Sequence, residues 1–491
     1  MITDDLEALM RQNFAHLPTS EQETVLHKWC DFLLSRSTSD EVFLLSGYAG
    51  TGKTSLVAAL VKTMRQLQQP VMLLAPTGRA AKVFSLYADT PAYTIHRRIY
   101  RQKSLTEMDR FQQNVNLHRH MLFLVDEASM IANEGFSGAM FGTGRLLDDL
   151  VHFVYSGEGC RLMLVGDVAQ LPPVGEEESP ALSREVLEGY GLVVREARLT
   201  QVVRQLDGSG ILWNATHLRH LIDTYDVFDF PRLNLQGFPD IQALPGNELI
   251  EALEDCYYQC GRDDTIIVTR TNRRANIFNQ GVRTRILDYE EELDSGDYVM
   301  VAKNNYYWSE RNREPDVPLQ QETMPFIANG DVAVVLRVRH ERSLYGFRFA
   351  DATLRFPDYG NREMEVTVLL DTLQSEAPAL TREQQETLFR QVWNDYPEIR
   401  SKQDRFKKIR EDPYYNALQI KYAYAVTCHK AQGGQWSRVF IDQGYVTEDM
   451  LSPDYFRWLY TALTRATERV YLINWPASQL QGNVGPEEDY G

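Results

Sequence analysis

Cysteine is scarce in this chain: five residues in 491, odd in number and scattered. That excludes a disulfide scaffold. Cys256 and Cys260 form the one close pair, in a stretch that reads as helix. No partners cluster nearby, so they read as reduced core thiols rather than metal ligands. No apolar stretch is long enough to span a bilayer. The N-terminus, MITDDLEALMRQNF, is acidic and lacks a secretory pattern. Together these absences point to a cytoplasmic protein with no membrane partner. A repeat of fixed period is missing, as is any long low-complexity segment. Positive charge is also in deficit: 51 Lys and Arg stand against 68 Asp and Glu, a net −17. This argues against a surface that binds polyanions throughout. It leaves room for a local path along a nucleic-acid strand, which needs only a few positive or polar contacts.

What the chain does carry begins at Gly47. Residues Gly47 to Thr54 read G-Y-A-G-T-G-K-T, after the apolar run Val42 to Leu45 and before an Ala/Leu/Val-rich stretch with helical texture. Strand, glycine-rich turn, Lys-Thr and helix are the setting in which the phosphate-loop pattern has a mechanism. Backbone N–H groups of Gly47, Gly50, Thr51 and Gly52 can wrap a phosphate chain, aided by the helix N-terminus. Lys53 reaches the outer phosphates, the Thr54 hydroxyl can ligate Mg²⁺, and Ser55 follows in the same turn. A nucleoside triphosphate is the expected ligand.

The length suggests two to four domains. Up to about residue 215, strands alternate with helices; the candidate strands are Val42 to Leu45, Val71 to Ala75, Met121 to Val125 and Leu162 to Val165. Each ends in small, polar or acidic residues, as buried parallel strands do where their C-terminal ends carry chemistry. A second α/β pattern runs over 216–292 and 416–476, with a first clear strand at Thr265 to Val268. Between them, 293–415 changes texture. Short β-type runs separated by Gly, Asn and Asp read as a small barrel-like insertion. Residues 380–411 are charged and helical, and 477–491 reads as a disordered tail.

Met121 to Val125 runs directly into Asp126-Glu127-Ala128-Ser129. A buried strand ending in adjacent acids, with a phosphate loop about 70 residues earlier, places Asp126 to hold Mg²⁺ and Glu127 to deprotonate the attacking water. A further strand ends at Gly166-Asp167, and Gln170 follows. Gln170 could hydrogen-bond a γ-phosphate or the lytic water; on this segment alone it reads equally as a loop residue fixed by Pro172-Pro173. Arg204, Arg270 and Arg465 sit suggestively, yet spacing alone reads each as a surface or ion-pair residue. Thr427 to Gly434, T-C-H-K-A-Q-G-G, packs polar donors and two glycines after an apolar run. The glycines allow close backbone approach to a ligand. A Cys428–His429 catalytic pair is not expected, because adjacent strand residues face opposite ways.

The order of these segments resembles superfamily 1 helicases, specifically the 5′-to-3′ branch with RecD-like and Dda-like DNA helicases. The likeness runs from about Leu17 to Asn474. Leu17 to Gln22 looks like the family's Q motif, with Gln22 as the adenine contact. Gly47 to Thr54 and Asp126 to Ser129 match its first two motifs, and Gly166 to Pro173 matches its third. Leu74 to Ala81 and Thr94 to His96 are similar to its strand-contacting segments. The resemblance implies that Arg204 and Arg465 contact the γ-phosphate. It places Gly434 beside the nucleotide and puts single-stranded DNA on Pro76, Thr77, His96, Thr427 and His429. It also implies an α/β architecture of two RecA-like P-loop domains in tandem, with an SH3-like barrel, begun near Lys303 to Tyr306 and Asn329 to Asp331, inserted in the second. Arg270 stays outside the catalytic set. The expected activity is ATP-dependent translocation along single-stranded DNA from 5′ to 3′, with Mg²⁺, separating forked duplex. The stretch between His96 and Met121 is short, so the strand-separating pin near 97–120 is expected to be small. That keeps open a DNA-stimulated ATPase that remodels protein–DNA complexes without processive unwinding.

Overall fold

The computed structural model describes residues 2–37, 39–102, 111–134, 142–203, 208–312, 324 and 326–481. Six parallel strands form the first sheet: Glu41–Gly47, Val71–Ala75, Ala92–Thr94, Leu122–Val125, Arg161–Gly166 and Val193–Leu199. Across the sheet they lie third, second, fourth, fifth, first, sixth. Because all run one way, the phosphate loop, Asp126 and Asp167 emerge along one edge. The apolar runs are continuous because both faces are covered. Period-two alternation sends Phe43, Leu45 and Met163 into a core with Leu56 and Leu60, and Val42, Leu44 and Leu162 into one with Leu147 and Leu150.

A second parallel sheet holds Ile241–Leu244, Thr265–Thr269, Ala425–Thr427, Trp436–Asp442 and Ala466–Ile473, in the spatial order first, fifth, fourth, second, third. Its core takes in helix Gly210–Asp223 through Ile211, Ala215 and Leu218, which cluster with Tyr455, Phe456 and Leu459 of helix Pro453–Leu463. The boundary expected at 215 therefore falls inside a helix that packs with the second unit. Periodicity gives the helix but cannot say which sheet it covers.

The barrel-like texture is a closed five-stranded barrel: Tyr298–Val301, Val332–Leu344, Phe347–Phe356, Arg362–Leu369 and Leu418–Tyr422. Leu418–Tyr422 closes it, antiparallel to Tyr298–Val301 and parallel to Arg362–Leu369. The insertion thus extends past the expected limit of 415. The charged helical stretch is two helices, Arg382–Asn394 and Lys402–Arg410, which bury Leu388, Val392 and Ile409 against Phe347, Phe349 and Leu369 of the barrel. At about 1.5–3 kcal/mol for each fully buried side chain, that apolar seam explains how so polar a segment stays docked.

The expected pin position carries the base of an antiparallel hairpin, Tyr100–Gln102 with Phe111–Gln113; 103–110 lie outside the described residues. The tail is ordered further than expected, because Leu480–Gln481 pairs with Leu233–Asn234; 482–491 lie outside the described residues. All five cysteines are free, and among the described residues no His/Cys/Asp/Glu group could hold a metal by itself. Among the described residues no helix is long and apolar enough to cross a membrane.

Candidate nucleotide and strand site

Strand Glu41–Gly47 delivers the loop and helix Lys53–Gln66 leaves it. Gly50 and Gly52 take left-handed φ of 78° and 83°, open to glycine at little cost. Gly52 is also the helix N-cap and supplies no side-chain cap, so the first-turn N–H groups are available to an anion. Lys53 Nζ donates to the Gly47 and Tyr48 carbonyls, the latter at 2.8 Å, which holds the ammonium over the loop. Gln22 is 1 % exposed and braces the loop from beneath. Its Oε1 accepts from Thr19 N at 2.9 Å and its Nε2 donates to Thr51 O at 3.0 Å. A Cβ on Gly52 would stand 2.5 Å from that Nε2.

Asp126 and Glu127 follow strand Leu122–Val125, as the sequence leads one to expect. Tyr87 donates its hydroxyl to Asp126 Oδ2, and Glu127 N–H donates to Asp126 Oδ1 at 2.9 Å. Glu127 has a left-handed φ of 53°, a strained setting for a bulky acid, costing roughly 1–3 kcal/mol. Desolvation raises both carboxyls above their ordinary range. For Asp126, Tyr87, the Glu127 amide and Lys53 oppose the rise. For Glu127 the strongest opposing charge is Arg465, ahead of Lys53. Arg465 is carried by the far unit, so a guanidinium from across the cleft acts on the expected base. The hydroxyl of Thr54 and the carboxylate of Asp126 are hard oxygen donors, the kind Mg²⁺ selects.

Arg465 is 3 % exposed and aimed by three hydrogen bonds. Its Nε donates to Thr461 O at 3.1 Å, Nη1 to Gly434 O at 3.2 Å and Nη2 to Thr464 Oγ1 at 3.4 Å. Gly434 therefore orients the arginine through its carbonyl. Gln170 is 7 % exposed and its Oε1 is buried with no partner. The segment around it is held from the other unit: Leu171 N–H donates to Thr461 Oγ1 at 2.9 Å, and Gln432 Nε2 donates to Leu171 O at 2.7 Å. Arg204 lies outside the described residues.

Of the residues expected on DNA, Thr427 and His429 share one groove, and Thr77 meets the second unit at Gly433. Pro76 and Thr77 follow strand Val71–Ala75, and Thr77 Oγ1 caps helix Gly78–Ala88 by accepting from Ala80 N at 3.2 Å. Gly433, with φ 72°, lies so close that a Cβ there would meet Ala80 Cβ at 2.9 Å and Thr77 Oγ1 at 3.2 Å. Arg79 stacks on Trp436 at 4.0 Å, joining the same two segments. His96 lies beside Tyr100, ring centroids 5.6 Å apart, and burial pushes its pKa down to about 4. Its ring is therefore neutral at pH 7 and offers stacking or hydrogen bonding rather than charge. Thr427 and His429 line a groove of about 610 Å³ with Arg270, Asn279, Lys421 and Lys430. Burial lowers both lysines to about 8. Cys428–Ala431 is a short helix rather than strand. Cys428 is buried and His429 exposed, so the two still do not form a pair, for a reason of helical rather than strand geometry.

Two members of the site escape sequence reading. Asp167 and Tyr460 are both buried, and Tyr460 Oη donates to Asp167 Oδ2 at 2.6 Å. Each looks like an ordinary element end in its own segment. Their pairing across 293 positions leaves no local signal.

Two family models match parts of the chain. The AAA domain family matches residues 33–221, and the UvrD-like helicase C-terminal domain matches 422–473. An uncharacterized protein of Acanthamoeba polyphaga mimivirus is 21% identical over 534 residues, covering 92% of this chain and 98% of that protein. The ATP-dependent RecD2 DNA helicase of Deinococcus radiodurans is 24% identical over 457 residues, covering 89% of this chain and 48% of that helicase. The chain thus spans nearly all of the first relative and about half of the second. The crystal structure of a Pif1 helicase from Bacteroides, with ADP-AlF3 and single-stranded DNA, overlays at a TM-score of 0.46 and 15% identity, covering 94% of each chain.

Proposed function

We propose that this chain is an ATP-driven motor of the RecD-like helicases of superfamily 1B. It moves 5′ to 3′ along single-stranded DNA and separates forked duplex ahead of it. One observation carries the reading: the phosphate loop, Asp126 and Glu127 of the first sheet face a buried Arg465 from the second. Such a split site is complete only when the two units close.

In this reading the loop amides and Lys53 hold the triphosphate, and Gln22 reads the adenine. Thr54 and Asp126 hold Mg²⁺, which neutralises phosphate charge when bound. Glu127 takes a proton from the attacking water; burial raises its affinity for that proton, and the Arg465 charge opposes that rise. Gln170 offers its unpaired Oε1 to that water. Arg465, with Arg204, stabilises charge on the transferring phosphoryl group. Pro76, Thr77 and His96 grip the strand from one side, and Thr427 and His429 from the other. Closing and reopening shift the grip along a backbone that carries no sequence information, so binding is sequence-tolerant and weakens with salt. The barrel, read as SH3-like, roofs the strand path.

The test is unwinding of duplexes bearing 5′ or 3′ single-stranded tails, with and without ATP. Separation confined to 5′-tailed forks in ATP is the expected result. Strand-stimulated hydrolysis without separation would leave a remodelling ATPase instead. Hydrolysis indifferent to DNA would remove the motor reading altogether.

A further inference from the structure

The helix Pro453–Leu463 touches the nucleotide site at a point that no step above uses. Tyr460, 1 % exposed, ends its side chain between two loops of the other unit. Its hydroxyl accepts from Ala49 N–H, inside the phosphate loop, at 2.9 Å. The same hydroxyl donates to Asp167 Oδ2 at 2.6 Å. Asp167 Oδ1 in turn accepts from Ala169 N–H at 3.0 Å, fixing the start of the segment that carries Gln170. One residue on, Thr461 holds the far end of that segment through Leu171 N–H. Thr461 also gives its carbonyl to Arg465. Arg465 reaches Gly434, next to the Gly433 that rests on Thr77. A single turn of helix thus meets the phosphate loop, both ends of the Gln170 segment, the arginine and, two contacts away, the expected strand grip.

We propose that Tyr460 is a positioning residue for hydrolysis: its hydroxyl ties the phosphate loop to the Gln170 segment and to the helix that carries Arg465, so that strand binding to the second unit reaches the reacting groups. The ring fills the seam and the oxygen makes the tie. The oxygen is the right chemistry because it must accept from a backbone amide and donate to a carboxylate at once, which a phenol does with one atom. A buried tie of this kind is also all-or-none. If the units slip while the seam stays dry, Ala49 N–H and the Asp167 carboxylate lose a partner together, and a buried polar group without a partner is costly. The tie therefore favours one closed arrangement over a range of partly closed ones. Both expected strand grips and both halves of the nucleotide site depend on that arrangement.

This inference rests on the strand-stimulated ATPase reading, and the experiment separates the two. Tyr460→Phe keeps the ring and deletes the oxygen. ATP turnover is measured with and without saturating oligo-dT, alongside the KM for ATP and the thermal midpoint. The parent chain must be stimulated by oligo-dT; a flat parent overturns the motor reading itself. With a stimulated parent, Tyr460→Phe should lower stimulated kcat at least tenfold and collapse the stimulation ratio toward one. KM for ATP should stay within about threefold of the parent. A stimulated kcat within twofold of the parent overturns the inference. So does a loss shared equally by the unstimulated rate, which marks a general packing defect. If the variant does not fold because Asp167 is left as a buried lone charge, the comparison moves to Asp167→Asn with and without Tyr460→Phe. There the hydroxyl should again change the stimulation ratio, by at least threefold; no change overturns the inference.

Discussion

Arg465→Ala gives the sharpest measure of how the two units share one reaction. The side chain is 3 % exposed and donates to the Thr461 and Gly434 carbonyls at 3.1 and 3.2 Å. Truncation removes these two charge-assisted bonds and a longer third one to Thr464 Oγ1, and the fold should weaken by roughly 2–4 kcal/mol. The chemical loss should be larger. An arginine supplied to the γ-phosphate is worth about 10³–10⁵ in rate, or about 4–7 kcal/mol at 1.36 kcal/mol per tenfold. A second, independent signature follows from Glu127. Burial raises that carboxyl, and Arg465 is the first charge that pulls it back. Without the guanidinium its pKa rises further. A base must be ionised to work, so the acid limb of the pH–rate profile should move to higher pH. Single-turnover hydrolysis with oligo-dT, set beside binding of a non-hydrolysable analogue, reads both effects. Turnover should fall at least a thousandfold with analogue affinity within about tenfold. Arg465→Lys should restore the position of the acid limb more than the rate, because an ammonium keeps the charge but not the planar fork. Matched losses of turnover and affinity, or an acid limb that does not move, would refute the assignment.

Lys53→Ala should abolish hydrolysis while leaving the melting curve nearly unchanged, since among the described residues the ammonium bonds only to carbonyls of its own loop; a large drop in melting temperature would make Lys53 structural. Glu127→Gln should trap an ATP-bound state, visible as slow turnover with tight nucleotide retention, and fast turnover would remove Glu127 from its role. Gly433→Ala places a Cβ 2.9 Å from Ala80 at φ 72°; oligonucleotide affinity should fall at least tenfold with little change in analogue binding, as a filter or anisotropy titration would show. Asp331 in the barrel is raised to about 7, mainly by burial. A carboxyl raised on folding favours the folded state fully below its unfolded pKa and loses that advantage as pH climbs through the folded value. The barrel should therefore weaken from about pH 4 to 7, by up to about 4 kcal/mol, and Asp331→Asn should flatten that slope in pH-dependent urea melts.

The strands that carry chemistry were legible because each is buried on both faces. The run Val71 to Ala75 coincides with its strand, and Val42 to Leu45 lies inside Glu41–Gly47. The edge strand Val193–Leu199 alternates exposed and buried residues and carries Arg195, Glu196 and Arg198, so it offers no continuous apolar signal. The closing strand of the barrel was hidden differently: Leu418–Tyr422 follows two helices and pairs with partners far back in the chain. Residues read from local pattern, such as Lys53 and Asp126, have neighbours in sequence that announce them. Asp167 also ends an apolar run, but its pairing with Tyr460, which gives both their place, is a hydrogen bond between units that neither segment shows.

The last strand of the barrel, Leu418–Tyr422, is separated by only Ala423 and Tyr424 from Ala425–Thr427. Tyr424 is itself anchored, its hydroxyl donating to the buried Asp297 at 2.9 Å. So short a splice, pinned midway, leaves no slack for a hinge. The barrel and the sheet that bears Thr427 must travel as one piece, and any force on the barrel is delivered straight to that sheet.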